Sequence, residues 1–221
     1  MDILSYIIGR KQGENSSGGG SDINLSDYFA STIDYTGFAK MIKKIPDTTI
    51  VQGTDLHNAF EHFQGTEIPL LDTSSVTNMR SMFNECPNLI TIPLLDTSSV
   101  TDMSSMLANC SSLKSIPLID TSSVTGANVN YMFYNCTLLE TIPVLNLSKV
   151  TNMNNMFTGC THLSDLSLDN ILQMCINSNV TTTSRKKLTA IGLLEENYPT
   201  TKLERLAHYP SFIEAGWITG Y

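Results

Sequence analysis

Residues 71–93 read LDTSSVTNMRSMFNECPNLITIP, and the same line is written three more times: LDTSSVTDMSSMLANCSSLKSIP at 95–117, IDTSSVTGANVNYMFYNCTLLETIP at 119–143, and LNLSKVTNMNNMFTGCTHLSDLS at 145–167. Cys86, Cys110, Cys136 and Cys160 mark the period, with steps of 24, 26 and 24 residues; the longer step is a two-residue insertion near Gly126 to Asn128. Self-similarity at a fixed period of this length is the signature of a solenoid, in which each repeat buries its apolar face only against its neighbours.

Two patterns are superposed inside each repeat. Met79, Met82, Phe83 and Cys86 follow i, i+3, i+4, i+7, as do Met103, Met106, Leu107 and Cys110, and Met153, Met156, Phe157 and Cys160. That spacing predicts one side of a two-turn helix, with Thr77, Thr101 and Thr151 in the N-cap position. In the third repeat the insertion moves the equivalent of Met79 to Val129, while Met132, Phe133 and Cys136 keep register. Leu89, Leu113, Leu139 and Leu163, followed three residues later by Ile92, Ile116, Ile142 and Leu166, complete the inward set. Pro93, Pro117 and Pro143 remove a ladder donor where a strand would continue, so the strand must be short. The expected coil is one brief parallel strand, a DTSSV connection and one short helix. Stacked, such coils form an α/β solenoid with a parallel sheet on one face and helices on the other.

Outside this block the pattern loosens. Residues 22–70 carry degenerate coils: Ile45-Pro46 and Ile68-Pro69 anticipate the later Ile-Pro pairs, and Leu56, Phe60 and Phe63 form a helical stripe. They are read as an N-terminal cap, since terminal repeats have one face to water. Residues 1–21 combine a short apolar element with KQGENSSGGGS, a flexible linker by composition, and are read as an anchor peptide. In residues 168–221 the repeat stops. LDNILQMCI looks helical, Pro199 and Pro210 divide the rest of the segment, and a helical C-terminal cap is expected, with Phe212 and Trp217 packing it down.

The net charge of −8 and pI near 4.8 argue against the phosphate-neutralising surface that nucleic acids require, and they disfavour anionic membranes. No apolar run approaches the roughly 20 residues that span a bilayer. The N-terminus places its basic pair after its apolar patch, the reverse of a secretory signal, so synthesis in the cytoplasm without Sec export is expected. Five cysteines cannot all pair. Four of them share one repeat position, which predicts reduced, buried side chains acting as small hydrophobes.

The chain has no G-x-S-x-G elbow, P-loop, C-x-x-C or G-x-G-x-x-G motif. His57 and His62 flank Glu61 in HNAFEH, but i, i+5 spacing separates the imidazoles on a helix and the Glu is misplaced for a zincin. Asp72, Asp96 and Asp120 recur at one position, with Asn146 in the fourth repeat. Each is read as accepting hydrogen bonds within its own DTSS turn rather than holding a cation. No catalytic residue, metal or cofactor is therefore expected. Alternation with inward Ile92 leaves Thr91, Ser115, Thr141 and Asp165 on the sheet face, flanked by Lys114 and Glu140. This polar row is the candidate contact surface for a protein or a glycan.

The DTSSVTNM, SMF, C-x-x-L and Ile-Pro elements resemble the BspA-like leucine-rich repeats of bacterial surface proteins, including the mycoplasma-type surface-protein repeat. The resemblance covers residues 71–167 well and 40–70 poorly. It implies a right-handed, leucine-rich-repeat-like coil and adhesion to, or binding of, proteins and matrix on a host or mucosal surface. The ends, MDILSYIIGRK with its Gly-rich linker and LTAIGL followed by YPSFIEAGWITGY, resemble proteins of phages and prophages of gut bacteria. That second likeness implies a tail or surface protein of a virion, attached to other virion proteins through residues 1–21. The alternative is a cell-surface adhesin.

Overall fold

The computed structural model describes residues 49–50, 54–68, 71–181 and 186–219. The expected anchor and linker at 1–21, and most of the expected N-terminal cap, lie outside the described residues.

Successive repeats are neighbours in space, and the segments expected to be helical are what tie them together. In the second repeat the N–H groups of Met103, Ser105, Leu107 and Asn109 donate to the carbonyls of Asn128, Asn130, Met132 and Tyr134, at 2.9, 2.9, 3.0 and 2.6 Å. The N–H groups of Met106, Ala108 and Cys110 close i to i+3 turns on Met103, Ser105 and Leu107. The donors of this stretch thus alternate between a local turn and the next repeat. An α-helix would spend on itself every donor beyond its first turn and could not offer alternate N–H groups to the next coil. The same alternation runs from Leu56–Phe63 onto the first regular repeat, and from the first regular repeat onto the second.

The backbone achieves this with two left-handed residues, four apart, in each repeat: Asn58 and His62, Ser81 and Glu85, Ser105 and Asn109, Tyr131 and Asn135, then Asn155 and Gly159. Positive φ at these positions is incompatible with the short helix that the spacing predicts. Asn and Gly tolerate the conformation well, and they fill five of the ten places. Thr77 and Thr101 accordingly cap no helix. Their hydroxyls donate to the carbonyls of Thr54 and Thr77 in the preceding repeat, at 3.0 and 3.1 Å.

The inward columns are those the sequence marks. Met79, Met82, Phe83, Cys86, Leu89 and Ile92 are buried, with their counterparts in the second and third repeats and, except for Leu166, in the fourth; Val129 takes the Met79 place in the third. Each such side chain removed from water contributes about 1.5–3 kcal/mol. Phe60 lies 5.5 Å from Phe83, and Phe133 stacks on Phe157 at 5.7 Å, so part of one column is a file of rings. A second file is polar. Thr73 Oγ1 donates to Asp96 O (2.8 Å), Asp120 N–H donates to Thr97 Oγ1 (2.8 Å), and Thr121 Oγ1 donates to Asn146 O (2.9 Å). These buried hydroxyls satisfy backbone groups between repeats.

Extended pairing is sparse among the described residues. β1 (Thr49–Ile50) and β2 (Leu71–Asp72) pair in parallel, Thr49 opposite Leu71. Later repeats meet on the strand side at the single parallel bridge Ser115 to Thr141.

The α-helices among the described residues are α1 (Asp165–Asn177), α2 (Leu188–Ile191), α3 (Thr200–Leu203) and α4 (Tyr209–Glu214). Ser164 caps α1 by accepting from Ser167 N–H. The helix therefore begins before the expected end of the fourth repeat, and Leu166 does not turn inward as Ile92 does: it is 70% exposed. Ser167 is buried instead, its Oγ donating to Glu140 O at 2.8 Å and accepting Ile142 N–H at 3.1 Å. The segment around α2 continues the repeat ladder, because Asn155 and Phe157 donate to Ala190 O and Ile191 O, both at 2.8 Å. Gly192 is required at this junction: its φ is +93° and a Cβ would fall 2.3 Å from Thr158 N. Trp217 stacks on Phe212 at 5.6 Å and donates from Nε1 to Cys175 O, and both rings are buried.

Candidate binding groove

The six residues expected to form a contact surface are all exposed. Ser115 and Thr141 are bridge partners, Glu140 N–H donates to Lys114 O at 2.9 Å, and Ser164 N–H donates to Glu140 O at 3.0 Å. Lys114, Ser115, Glu140 and Thr141 thus form one patch. Thr91 lies in the preceding repeat. Asp165 opens α1 and makes an ion pair with Lys202 at 3.0 Å, so it belongs to a helix start rather than to a strand.

Three residues further along the chain from Thr91 and Thr141, a groove of about 760 Å³ crosses the repeats, lined from Leu71 in the first regular repeat to Asn146 in the fourth. It exists because an aliphatic pair follows each proline. The second member, Leu95, Ile119 or Leu145, is buried; the first, Leu94, Leu118 or Val144, stands out, with Leu94 at 66% and Leu118 at 67% exposure. The polar row expected from the sequence leaves this outer file out. The signal was the doublet itself, since one inward position per turn leaves its neighbour outside.

Carboxylates edge the groove. Asp96 Oδ1 accepts from Ser98 N–H at 3.1 Å and from Ser98 Oγ at 2.7 Å; Asp120 Oδ1 accepts from Ser122 N–H at 2.8 Å. Asn146 Oδ1 repeats the motif with Ser148. These are the turn contacts expected of the DTSS segment. Hydrogen bonds from Ser98 hold the Asp96 carboxyl below its ordinary pKa, and those from Ser122 do the same for Asp120, with Lys149 adding a smaller lowering. Both groups are therefore fully ionised near neutral pH.

The remaining reactive side chains are committed elsewhere. Each column cysteine donates its S–H to a carbonyl of the preceding repeat: Cys86 to Phe60, Cys110 to Phe83, Cys136 to Leu107 and Cys160 to Phe133, at 3.1–3.2 Å. All five cysteines are free and buried, and burial pushes Cys160 up to about 12 and Cys136 and Cys175 well above the ordinary thiol range. His57 pairs with Asp55 at 2.9 Å and His62 with Glu85 at 2.8 Å, each at an exposed position. No group of three or more potential metal ligands occurs among the described residues, and no described helix is long and apolar enough to cross a membrane.

An array of coils joined by backbone turns, bearing a continuous surface groove, is the architecture of a repeat protein. The model of the Mycoplasma protein family of unknown function DUF285 matches residues 54–171, just over half of the chain, and the chain belongs to that family. The match takes in the repeats that resemble the BspA-like type, together with the 54–70 segment that the resemblance covers poorly. No curated protein and no solved structure matches the chain.

Proposed function

We propose that this protein is a non-enzymatic binding module of the BspA-like surface type, a right-handed leucine-rich-repeat-like solenoid with left-handed turns in place of the helix. Its contact surface is the row Thr91, Lys114, Ser115, Glu140, Thr141 and Asp165 together with the adjacent groove, and its partner is a protein on a host or mucosal surface. The observation that carries this reading is the outer file Leu94, Leu118 and Val144, aliphatic side chains exposed at one position of consecutive repeats and so adjacent rather than scattered. Aliphatic side chains favour a protein partner over a glycan, whose rings are met by aromatic faces and hydrogen-bonding groups.

The test is capture of mucins and matrix proteins by immobilised chain, with a glycan array alongside. The reading expects saturable protein binding that weakens in Ser115→Trp and Thr141→Trp variants. Absence of binding to every class, or binding confined to glycans, would refute it. The likeness of the two ends to phage proteins extends the proposal to display on a virion through residues 1–21; the adhesin alternative places the same module on a cell. Mass spectrometry of purified particles and of cell-envelope fractions separates the two.

A further inference from the structure

We infer that the groove takes an extended peptide of alternating aliphatic and basic residues, laid along the stack across the repeats. Its aliphatic side chains sit against Leu94, Leu118 and Val144, and its Lys or Arg groups reach Asp96 and Asp120. This deepens the binding reading above and rests on it.

The length of the groove sets the length of the peptide. Four consecutive repeats contribute lining residues, and at about 4.8 Å per parallel neighbour the groove runs about 15 Å, the span of some five extended residues. An extended peptide also presents side chains to both sides alternately, which suits a floor that is apolar along one file and acidic along the next.

Charge selects among the occupants. Asp96 and Asp120 are exposed carboxylates on adjacent repeats, both on the groove. Both hydrogen bonds to Asp96 fall on Oδ1, and a carboxylate accepts up to about four, so capacity remains for an incoming ammonium or guanidinium. In the fourth repeat the acid is replaced by Asn146, and Lys149 follows three residues on. By sequence the acid recurs as Asp72, Asp96 and Asp120, so the acidic edge runs along the first three repeats and stops at the fourth. The net charge of −8 draws a cationic segment in from a distance and repels an acidic one.

Fluorescence anisotropy of the full chain with acetyl-KLKVRLK-amide tests the inference, against a counterpart with Glu for every Lys and Arg and another with Ser for every aliphatic residue. The alternating basic peptide should bind, and both counterparts should bind at least tenfold more weakly. Leu118→Ser, at a position already exposed and so tolerant of the change, should weaken binding about fivefold. Asp120→Lys should weaken it further and flatten its dependence on salt. Equal binding of the Glu peptide, or affinity unchanged in both variants, overturns the inference. So does a concentration-dependent dimer that Leu118→Ser abolishes, which would assign the groove to a second copy. Capture of a host protein that survives both variants overturns the groove while leaving the binding module standing; absence of both peptide and host-protein binding overturns the two together.

Discussion

Replacing Gly192 with alanine should cost the protein about two to three times as much stability as the same replacement at Gly126, because the space around the two glycines differs. Both have positive φ, +93° and +63°, so each substitution forces a Cβ into the left-handed region at about 1–2 kcal/mol. At Gly126 nothing lies within 4 Å of the new atom, so that strain is the whole effect. At Gly192 the atom would sit 2.3 Å from Thr158 N and 2.6 Å from Thr158 Cα, backbone that cannot swing aside as a side-chain tip could. The segments must separate, and the bonds first lost are those from Asn155 to Ala190 O and from Phe157 to Ile191 O. Each contributes about 1 kcal/mol net, which brings Gly192→Ala to about 3–4 kcal/mol. At 2–4 °C per kcal/mol for a chain of this size, the melting temperature should fall by about 6–16 °C, against about 2–8 °C for Gly126→Ala. Calorimetry on the two variants reads the difference directly. Equal shifts would mean that the α2 segment does not continue the repeat ladder, and that the last coil is closed in some other way.

Thr97→Val keeps the shape of a buried side chain but strands the Asp120 N–H, at an expected cost of about 1–3 kcal/mol by denaturant melting. Unreacted thiol is the expectation for all five cysteines when native protein meets a thiol reagent at mild alkaline pH, with all five reacting after unfolding; fast labelling of any column cysteine would contradict its burial. Tyr198 donates to Cys160 O at 2.6 Å and accepts Leu163 N–H at 3.0 Å, and burial pushes its phenol up to about 12. Its folded pKa exceeds the unfolded value, so its contribution is present below about 10 and lost as pH rises to about 12; Tyr198→Phe should make the alkaline loss of stability shallower. Asp96 and Asp120 have depressed folded pKa values, so their contribution is present above the ordinary 3.8 and lost as pH falls through the folded values. An Asp96→Asn, Asp120→Asn double variant should therefore lose less stability on acidification than the parent does, as measured by thermal melts across the acid range.

Much of the interior was legible because it depends on composition at fixed period. The Met, Phe, Cys and Leu columns, the DTSS hydrogen bonds and the burial of Phe212 and Trp217 in the C-terminal cap come from residue type and spacing alone. Conformation between those positions was less legible. The spacing i, i+3, i+4, i+7 fits a helix, but consecutive i to i+3 turns place the same residues on one side, so the apolar pattern cannot separate the two. The discriminating letters were polar: Asn109, Asn135 and Gly159 before the cysteines, and Asn58 and Asn155 four residues earlier, all suited to positive φ. The fourth repeat misled for a different reason. Leu166 continues the column by spacing, yet Ser164 offers a cap, and the capped helix α1 rotates Leu166 outward and brings Ser167 in.

The left-handed turns also bear on what the surface can do. A helical segment keeps its backbone bonds to itself, so on its side of the stack the coils are held together by side chains alone. Here every second N–H of the turn segment crosses to the next coil, so the stack is braced by main chain along this side and by the Thr73, Thr97 and Thr121 file near the groove. Interchange of outward side chains then costs little, because cohesion does not depend on them. Leu94, Leu118 and Val144 stand on this braced frame with their partners Leu95, Ile119 and Leu145 fixed beneath, and a rigid floor spares a ligand the ordering entropy that a mobile one would cost. A surface built this way can vary one letter per repeat without changing how it folds.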